Sequence, residues 1–291
     1  MKVRKAVIPV AGLGTRMLPA TKVVPKELLP VVNKTVLEWI VEEAVAAGIK
    51  DIIFVTSRFK GDIADQFSGF PELEAMLKLN GQQRDIEELR HFQSLANYFY
   101  VRQPEPLGLG HAILCAKKQV GDEPFAIMLG DNITPSETPC LPRMIEVYEK
   151  YGGSVLSLVP LPPEMVPTWG IARVKELESD IVNIVNLVEK PKLEEAPSNL
   201  GIYGRYILTP DIFAILEKAS PTHGGEIQIT DSIEVQVQAG RCYGIRFNGE
   251  WYDTGSPLGL LKTSIALALK QPDIAPALRE SMRQMLKAEQ G

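Results

Sequence analysis

The chain has 291 residues, 45% hydrophobic and 23% charged, a size and balance that allow a large core to form without staples. Its formal charge of −5 and pI near 5.4 exclude a general nucleic-acid surface, which needs clustered cations to displace counterions from phosphates. Cys115, Cys140 and Cys242 lie far apart with no CxxC pair, so neither a disulfide framework nor a zinc site is expected, and a reducing cytoplasm fits best.

At the start of the chain, basic Met1-Lys2-Val3-Arg4-Lys5 precedes an apolar run that Pro9 and Gly12 break too early for a signal peptide or a membrane span. No apolar stretch of bilayer length follows. Residues 5–10 read as a buried strand leading into Ala11-Gly12-Leu13-Gly14-Thr15-Arg16, and 36–47 carry helical apolar spacing, so a βα unit opens the protein. Residues 51–56, 98–101 and 125–129 are further strands with helical patterns between them. That alternation implies a mostly parallel sheet covered on both faces. Residues 71–95 are charged and helical in period (Leu73, Met76, Leu77, Ile86, Leu89, Phe92) and are expected as an inserted excursion against the sheet's edge. From Ser154 the runs 155–159, 171–174, 181–188 and 201–208 favour an antiparallel or mixed extension of the same sheet. Residues 257–291 read as terminal helices.

Gly12 and Gly14 let backbone amides approach an anion closely, and Thr15 and Arg16 add a hydroxyl and a fixed positive fork. The two glycines alone are equally consistent with a plain tight turn. Met17 removes the third glycine of a dinucleotide fingerprint, and no Gly-Lys-Ser/Thr completes a P-loop. Downstream, Pro19, Pro25 and Pro30 stiffen an extended loop, so Lys22 and Lys26 on it are aimed and not merely solvated.

The run Gly12-x-Gly14-Thr15-Arg16-x-x-Pro19-x-Thr21-Lys22-x-x-Pro25-Lys26-Glu27-x-Leu29-Pro30 resembles the signature of the sugar-1-phosphate nucleotidylyltransferases, with the lysine spacing of their bacterial UTP:glucose-1-phosphate uridylyltransferase branch. The resemblance covers almost the whole chain. It implies an α/β fold: a Rossmann-like mixed, mostly parallel sheet flanked by helices, in a single domain 1–291. That domain would have a nucleotide-binding half (1–150), a sugar-binding half (151–256) and C-terminal helices (257–291). By resemblance, Ala11, Gly12, Gly14 and Thr15 cradle the nucleotide phosphates, and Gln103 with the backbone at Gly108 reads the uracil edge. An amide suits both the donor and the acceptor of a pyrimidine imide. His111 is read as a capping or packing residue.

Gly130-Asp131-Asn132 sets a carboxylate at the carboxyl end of a strand, where ligands of open α/β folds bind, and Asp253 supplies a second. Each alone reads as a turn or cap residue; together, by resemblance, they hold Mg²⁺. Glu189-Lys190-Pro191 is by itself a salt-bridging pair before a proline, and by resemblance Glu189 takes the sugar hydroxyls and Lys190 its phosphate. Gly170, Gly201 and Ile202 would line the sugar pocket. Gly225-Glu226-Ile227-Gln228-Ile229-Thr230-Asp231 either closes over the sugar or caps a helix through Thr230 or Asp231.

The implied reaction is in-line attack of glucose 1-phosphate on the α-phosphorus of UTP, giving UDP-glucose and pyrophosphate, with Arg16, Lys26 and Lys190 as the catalytic cations. Neither nucleic acid nor membrane is an expected partner, and the resemblance suggests a homodimer or homotetramer. By resemblance, a proline is common at position 35 and a second aspartate at 132, so Thr35 and Asn132 depart from the expected pattern, as do Trp169 and Ser256. A thymidylyltransferase on the same sugar is the nearest rival, since thymine presents the same edge. A non-catalytic regulatory paralogue is the rival from another class.

Overall fold

The computed structural model describes residues 1–135, 137 and 139–288, with nothing stated for the side chain of residue 223. In chain order the strands are β1 (Lys5–Pro9), β2 (Pro30–Val31), β3 (Lys34–Thr35), β4 (Asp51–Thr56), β5 (Asn97–Arg102), β6 (Phe125–Met128), β7 (Asn132–Ile133), β8 (Ser154–Pro160), β9 (Gly170–Glu178), β10 (Ile181–Glu189), β11 (Leu200–Leu208), β12 (Cys242–Arg246) and β13 (Tyr252–Asp253). The helices are α1 (Val36–Ala46), α2 (Asp62–Gln66), α3 (Pro71–Leu79), α4 (Gln83–Ser94), α5 (Leu109–Cys115), α6 (Lys117–Val120), α7 (Cys140–Tyr151), α8 (Ile212–Leu216), α9 (Ile229–Gln238), α10 (Pro257–Ala268) and α11 (Ala275–Ala288). The last three residues of the stretch expected as terminal helices lie outside the described residues. No helix among the described residues is long and apolar enough to cross a membrane.

Nine strands form one sheet in the order β5-β4-β1-β6-β11-β8-β12-β10-β9. In its first half, β5, β4, β1 and β6 run parallel because helical crossovers separate them in sequence. In the second half, β11 is antiparallel to β6 and β8, and β10 to β9 and β12, while β8 and β12 are parallel. The sheet is therefore mixed, and parallel pairing dominates only in the first half. β9 and β10 follow one another through a tight turn, which is what makes them antiparallel.

Alternate residues of the central strands feed two cores. Ala6, Ile8, Ile52 and Phe54 pack with Leu37, Ile40 and Ala44 of α1 and Met144 of α7 on one face. Val7, Ile53 and Val55 pack with Ile113 of α5, Phe213 of α8 and Ile233 of α9 on the other. This is the period of two expected of a sheet covered on both faces. The 71–95 excursion is the pair α3 and α4, joined by Arg90 to Glu74 at 2.6 Å, and Phe92 packs against the core beside edge strand β5.

Thr35, one of the departures, starts α1 with a capping box. Its hydroxyl accepts from the Glu38 amide at 3.3 Å, and Glu38 Oε2 accepts from the Thr35 amide at 2.7 Å. A proline could supply neither the hydroxyl nor the N–H. Ser256 likewise caps α10, accepting from the Gly259 amide at 3.1 Å.

Candidate active site

Two adjoining cavities, of about 330 and 410 Å³, lie beyond the carboxyl ends of β1 and β6 and share a wall of Leu109, Leu129, Asp131 and Glu226. The loop-side cavity is lined by Ala11, Gly12, Thr15, Lys26, Gln103 and Gly108. The strand-side cavity is lined by Arg16, Gly170, Glu189, Lys190, Ile202 and Asp253. Gly14 and Gly201 line neither, and Lys22 stands exposed on its loop.

On the loop side, Gly14 bends the chain: its φ is +66°, and a Cβ there would come within 3.2 Å of Thr21, whose hydroxyl donates to the Gly14 carbonyl at 2.7 Å. Lys26 follows on a single 3-10 turn, and its Nζ lies 2.6 Å from Asp131 Oδ2; Arg16 Nη2 lies 3.9 Å from the same oxygen. Burial alone would lower the pKa of Lys26, but Asp131 and then Glu27 hold it above the ordinary lysine value. Burial would raise the pKa of Asp131, and Lys26 with Arg16 outweigh it, so the carboxylate stays charged.

Under this arm lies a second ion pair. Lys60 Nζ donates to Glu27 Oε2 and to the Val10 carbonyl, both at 2.7 Å. Burial raises the pKa of Glu27 and lowers that of Lys60, each against the pull of its partner.

Buried Gln103 donates from Nε2 to the Gly108 carbonyl at 3.1 Å, and the same nitrogen lies 3.2 Å from His111 Nδ1. Gly108 has φ +93°, and a Cβ on it would sit 2.7 Å from Glu226 Cβ and 2.9 Å from the Ile227 carbonyl. That close approach is fixed by Ile227 N donating to Leu107 O and Gly110 N to Ile227 O, each at 2.8 Å. Two motifs remote in sequence are thereby stitched into one wall.

Asp253 reaches the site because β13 pairs antiparallel with β7, placing it opposite Asn132. A Cβ built on Gly255 would lie 2.9 Å from Asp253 Oδ1, 3.0 Å from Asp131 Oδ2 and 2.9 Å from Arg16 Nη2, so both carboxylates converge on one point. Burial and then the charge of Asp131 push the pKa of Asp253 up. Among the described residues, no group of three or more His, Cys, Asp or Glu is placed to hold a metal ion. Two convergent carboxylates suit Mg²⁺, which takes few protein oxygens and completes its shell with phosphate and water.

Farther along the strand side, Glu189 Oε2 accepts from Thr230 Oγ1 at 2.7 Å, and a Cβ on Gly170 would meet Glu189, Ile202 and Thr230 all at 3.1 Å. Lys190 holds φ +48°, with its amide donating to the Trp169 carbonyl at 3.0 Å and its Nζ 3.4 Å from Glu189 Oε1. Such a backbone persists in a non-glycine residue only where its surroundings fix it. Trp169 stacks edge-on against Trp251, and buried Asn132 sets its Oδ1 where a Cβ on Gly204 would fall.

Gly201 faces Leu161, with a Cβ there only 2.3 Å from Leu161 Cδ1. Ile202, Gly204 and Tyr206 face the cavity instead. The period of two that puts Ile202 inward puts Gly201 outward, and that signal was present in the sequence. Thr230 and Asp231 are not caps: α9 is bounded by Gln228 without a side-chain cap, and Thr230 serves Glu189. Sequence reasoning also missed Glu27 with Lys60, and Glu43 with fully buried Arg205. Arg205 Nη2 donates to Glu43 at 2.6 Å and to the Asn132 carbonyl at 2.7 Å, securing the turn after Asp131.

The nucleotidyl transferase family profile matches residues 5–269. A Staphylococcus epidermidis protein named UTP–glucose-1-phosphate uridylyltransferase is 45% identical over 284 residues, covering 98% of this chain and 99% of its own. The crystal structure of a UDP-glucose pyrophosphorylase complexed with UDP-glucose superposes with a TM-score of 0.84 at 39% identity, covering 92% of this chain and 100% of that one. UTP-bound UGPase from Acinetobacter baumannii superposes with a TM-score of 0.89 at 36% identity, covering 96% and 98%. The chain thus belongs to the nucleotidyl transferase family, in the branch that holds these uridylyltransferases.

Proposed function

We propose that the chain transfers the uridylyl group of UTP to glucose 1-phosphate, forming UDP-glucose and releasing pyrophosphate. The observation that carries this reading is the pair of cavities meeting at Asp131 with cations on either side: Lys26 in one, Lys190 and Arg16 in the other. Two phosphate ligands placed in them would meet at that wall. Relatives named for UTP and glucose 1-phosphate and covering nearly all of the chain support the choice of donor and sugar.

An oxygen of glucose 1-phosphate bonds to the α-phosphorus while the bond to the bridging oxygen of the β-phosphate breaks, and pyrophosphate leaves with that electron pair. No covalent enzyme intermediate is needed. The protein's work is to bring two anions together and meet the charge that develops. Arg16 and Lys26 hold triphosphate oxygens, Lys190 orients the attacking phosphate, and Glu189 accepts from sugar hydroxyls. Gln103 and the Gly108 backbone read the base. Asp131 and Asp253 would hold Mg²⁺, whose contribution when bound is to neutralise phosphate charge. The continuous sheet supports one domain with a nucleotide half (1–150), a sugar half (151–256) and C-terminal helices. Assembly as a homodimer or homotetramer rests on the family resemblance, and a cytoplasmic setting on the separated cysteines; sedimentation velocity reads the assembly, and a monomer at working concentration would refute it.

The test is pyrophosphate release from purified protein, Mg²⁺, glucose 1-phosphate and each nucleoside triphosphate in turn. Release with UTP is expected. Release with none of them sinks the enzyme reading, and a clear preference for dTTP sinks the uridylyl assignment in favour of the thymidylyl one.

A further inference from the structure

We propose that Lys60 is a positioning residue that locks the Lys26 turn to the exit of β1, so that the Lys26 ammonium stands at Asp131 before any nucleotide arrives. The inference rests on the uridylyl-transfer reading of the site. Lys60 touches neither cavity, and its side chain is almost fully buried. Its ammonium has two acceptors at 2.7 Å, and each belongs to a segment that shapes the loop-side cavity. One is the carbonyl of Val10, the residue that leads into Ala11-Gly12. The other is the carboxylate of Glu27, the immediate neighbour of Lys26.

The anchor is itself tied down. Thr56 at the end of β4 donates its hydroxyl to the Lys60 carbonyl at 3.4 Å, so Lys60 hangs from the sheet and not from the loop it braces. A third segment is reached through Glu27: a Cβ on Gly130, just before Asp131, would lie 3.1 Å from both Glu27 Cγ and Val10 Cγ1. The exits of β1 and β6 and the Lys26 turn thus close around one buried pair. Buried ion pairs add little net stability over apolar residues of similar shape, so stability alone does not account for this one. What it supplies is register between the backbone amides of the loop and the ammonium beside them.

The experiment compares wild type, Lys60→Met and the double variant Glu27→Gln/Lys60→Met. For each it measures the melting temperature, UTP affinity by calorimetry with Mg²⁺, and steady-state kinetics for both substrates. Lys60→Met is expected to lower kcat/KM for UTP by about 10²-fold, the cost of a misplacement near 1 Å, with KM for glucose 1-phosphate changed by less than about twofold. The double variant, free of an unpaired buried charge, is expected to regain the melting temperature without regaining UTP affinity or kcat/KM. Recovery of both together, or wild-type kinetics in a folded Lys60→Met protein, overturns the proposal. If Lys60→Met does not fold, the double variant decides. Wild type that binds UTP but releases no pyrophosphate refutes the transferase reading while UTP affinity still judges Lys60; wild type that does not bind UTP overturns both.

Discussion

The two sides of the site carry similar groups and hold them differently. On the loop side Lys26 is 18% exposed, sits 2.6 Å from Asp131, and has the Glu27–Lys60 pair beneath it. On the strand side Lys190 is 43% exposed and 3.4 Å from Glu189, so only its backbone is fixed. On the proposed reading, the cation assigned to the more highly charged ligand is thus set in advance, and the one assigned to the sugar phosphate keeps more side-chain freedom. Preorganised charge is most effective where the transition state gathers charge. The difference follows the topology: Lys26 and Asp131 lie on loops that follow parallel strands, whereas Glu189, Ile202 and Gly204 sit on antiparallel strands whose ladder fixes spacing, and Lys190, one residue past β10, has a fixed backbone and a half-exposed side chain.

Arg205 spans this division and offers the largest effect. It belongs to β11 on the strand side, yet its guanidinium supports the carbonyl next to Asp131. Arg205→Met leaves Glu43 buried without its partner and should cost about 3–5 kcal/mol in urea unfolding. An unchanged midpoint would separate the two sides and remove their common ionic support. Next in size, Lys190→Ala should lower kcat by about 10²–10³-fold, in the range of losing one preorganised charge contact, while UTP affinity by calorimetry stays within about twofold. A loss of UTP affinity comparable to the loss of turnover would mean that the sides are not divided as described.

Asp253→Asn tests what the acidic pair costs when no cation is present. The pKa of Asp253 is raised by burial and by Asp131, so the folded protein binds this proton more tightly than the unfolded chain does. Stability from this group is therefore fully present at acid pH, below the unfolded value of 3.8, and is lost as pH rises through the higher folded value. In EDTA at neutral pH the Asn variant should be the more stable protein, with the advantage shrinking toward acid pH, while its turnover with Mg²⁺ falls sharply. Melting curves across pH check this, and a less stable Asn variant in EDTA would contradict it.

Much of the sheet was legible because buried strands read as continuous apolar runs: residues 51–56 are β4 to the residue. β12 escaped because Gly244 and Arg246 interrupt its run, and β7 with β13 because two residues carry no period. Arg16, Lys26, Asp131, Lys190 and Asp253, which line the two cavities, stand in motifs that the family resemblance picks out. Their supports were not legible: Glu43 and Arg205 are 162 positions apart, and Glu27 and Lys60 are 33 apart. On a helix face, Glu43 has the same sequence signature as a solvated carboxylate. Only the fold, which brings Arg205 of β11 to within 2.6 Å of Glu43 on α1, turns it into an internal partner for arginine.

The smallest expected effect bears on what holds the loop side in place. Thr35 ends the β2–β3 hairpin that follows the Lys26 turn, and its capping box starts α1. Thr35→Ala should cost about 1 kcal/mol of stability, the usual value of an N-cap side chain, measured by chemical unfolding. If Lys60 and Asp131 fix the arm, kcat/KM for UTP in this variant should stay within about twofold of wild type, since neither contact touches the cap. A larger loss in protein shown to be folded would mean that the position of Lys26 is inherited from α1 through the hairpin, and the difference between the two sides would then originate in the helix and not in the buried pair.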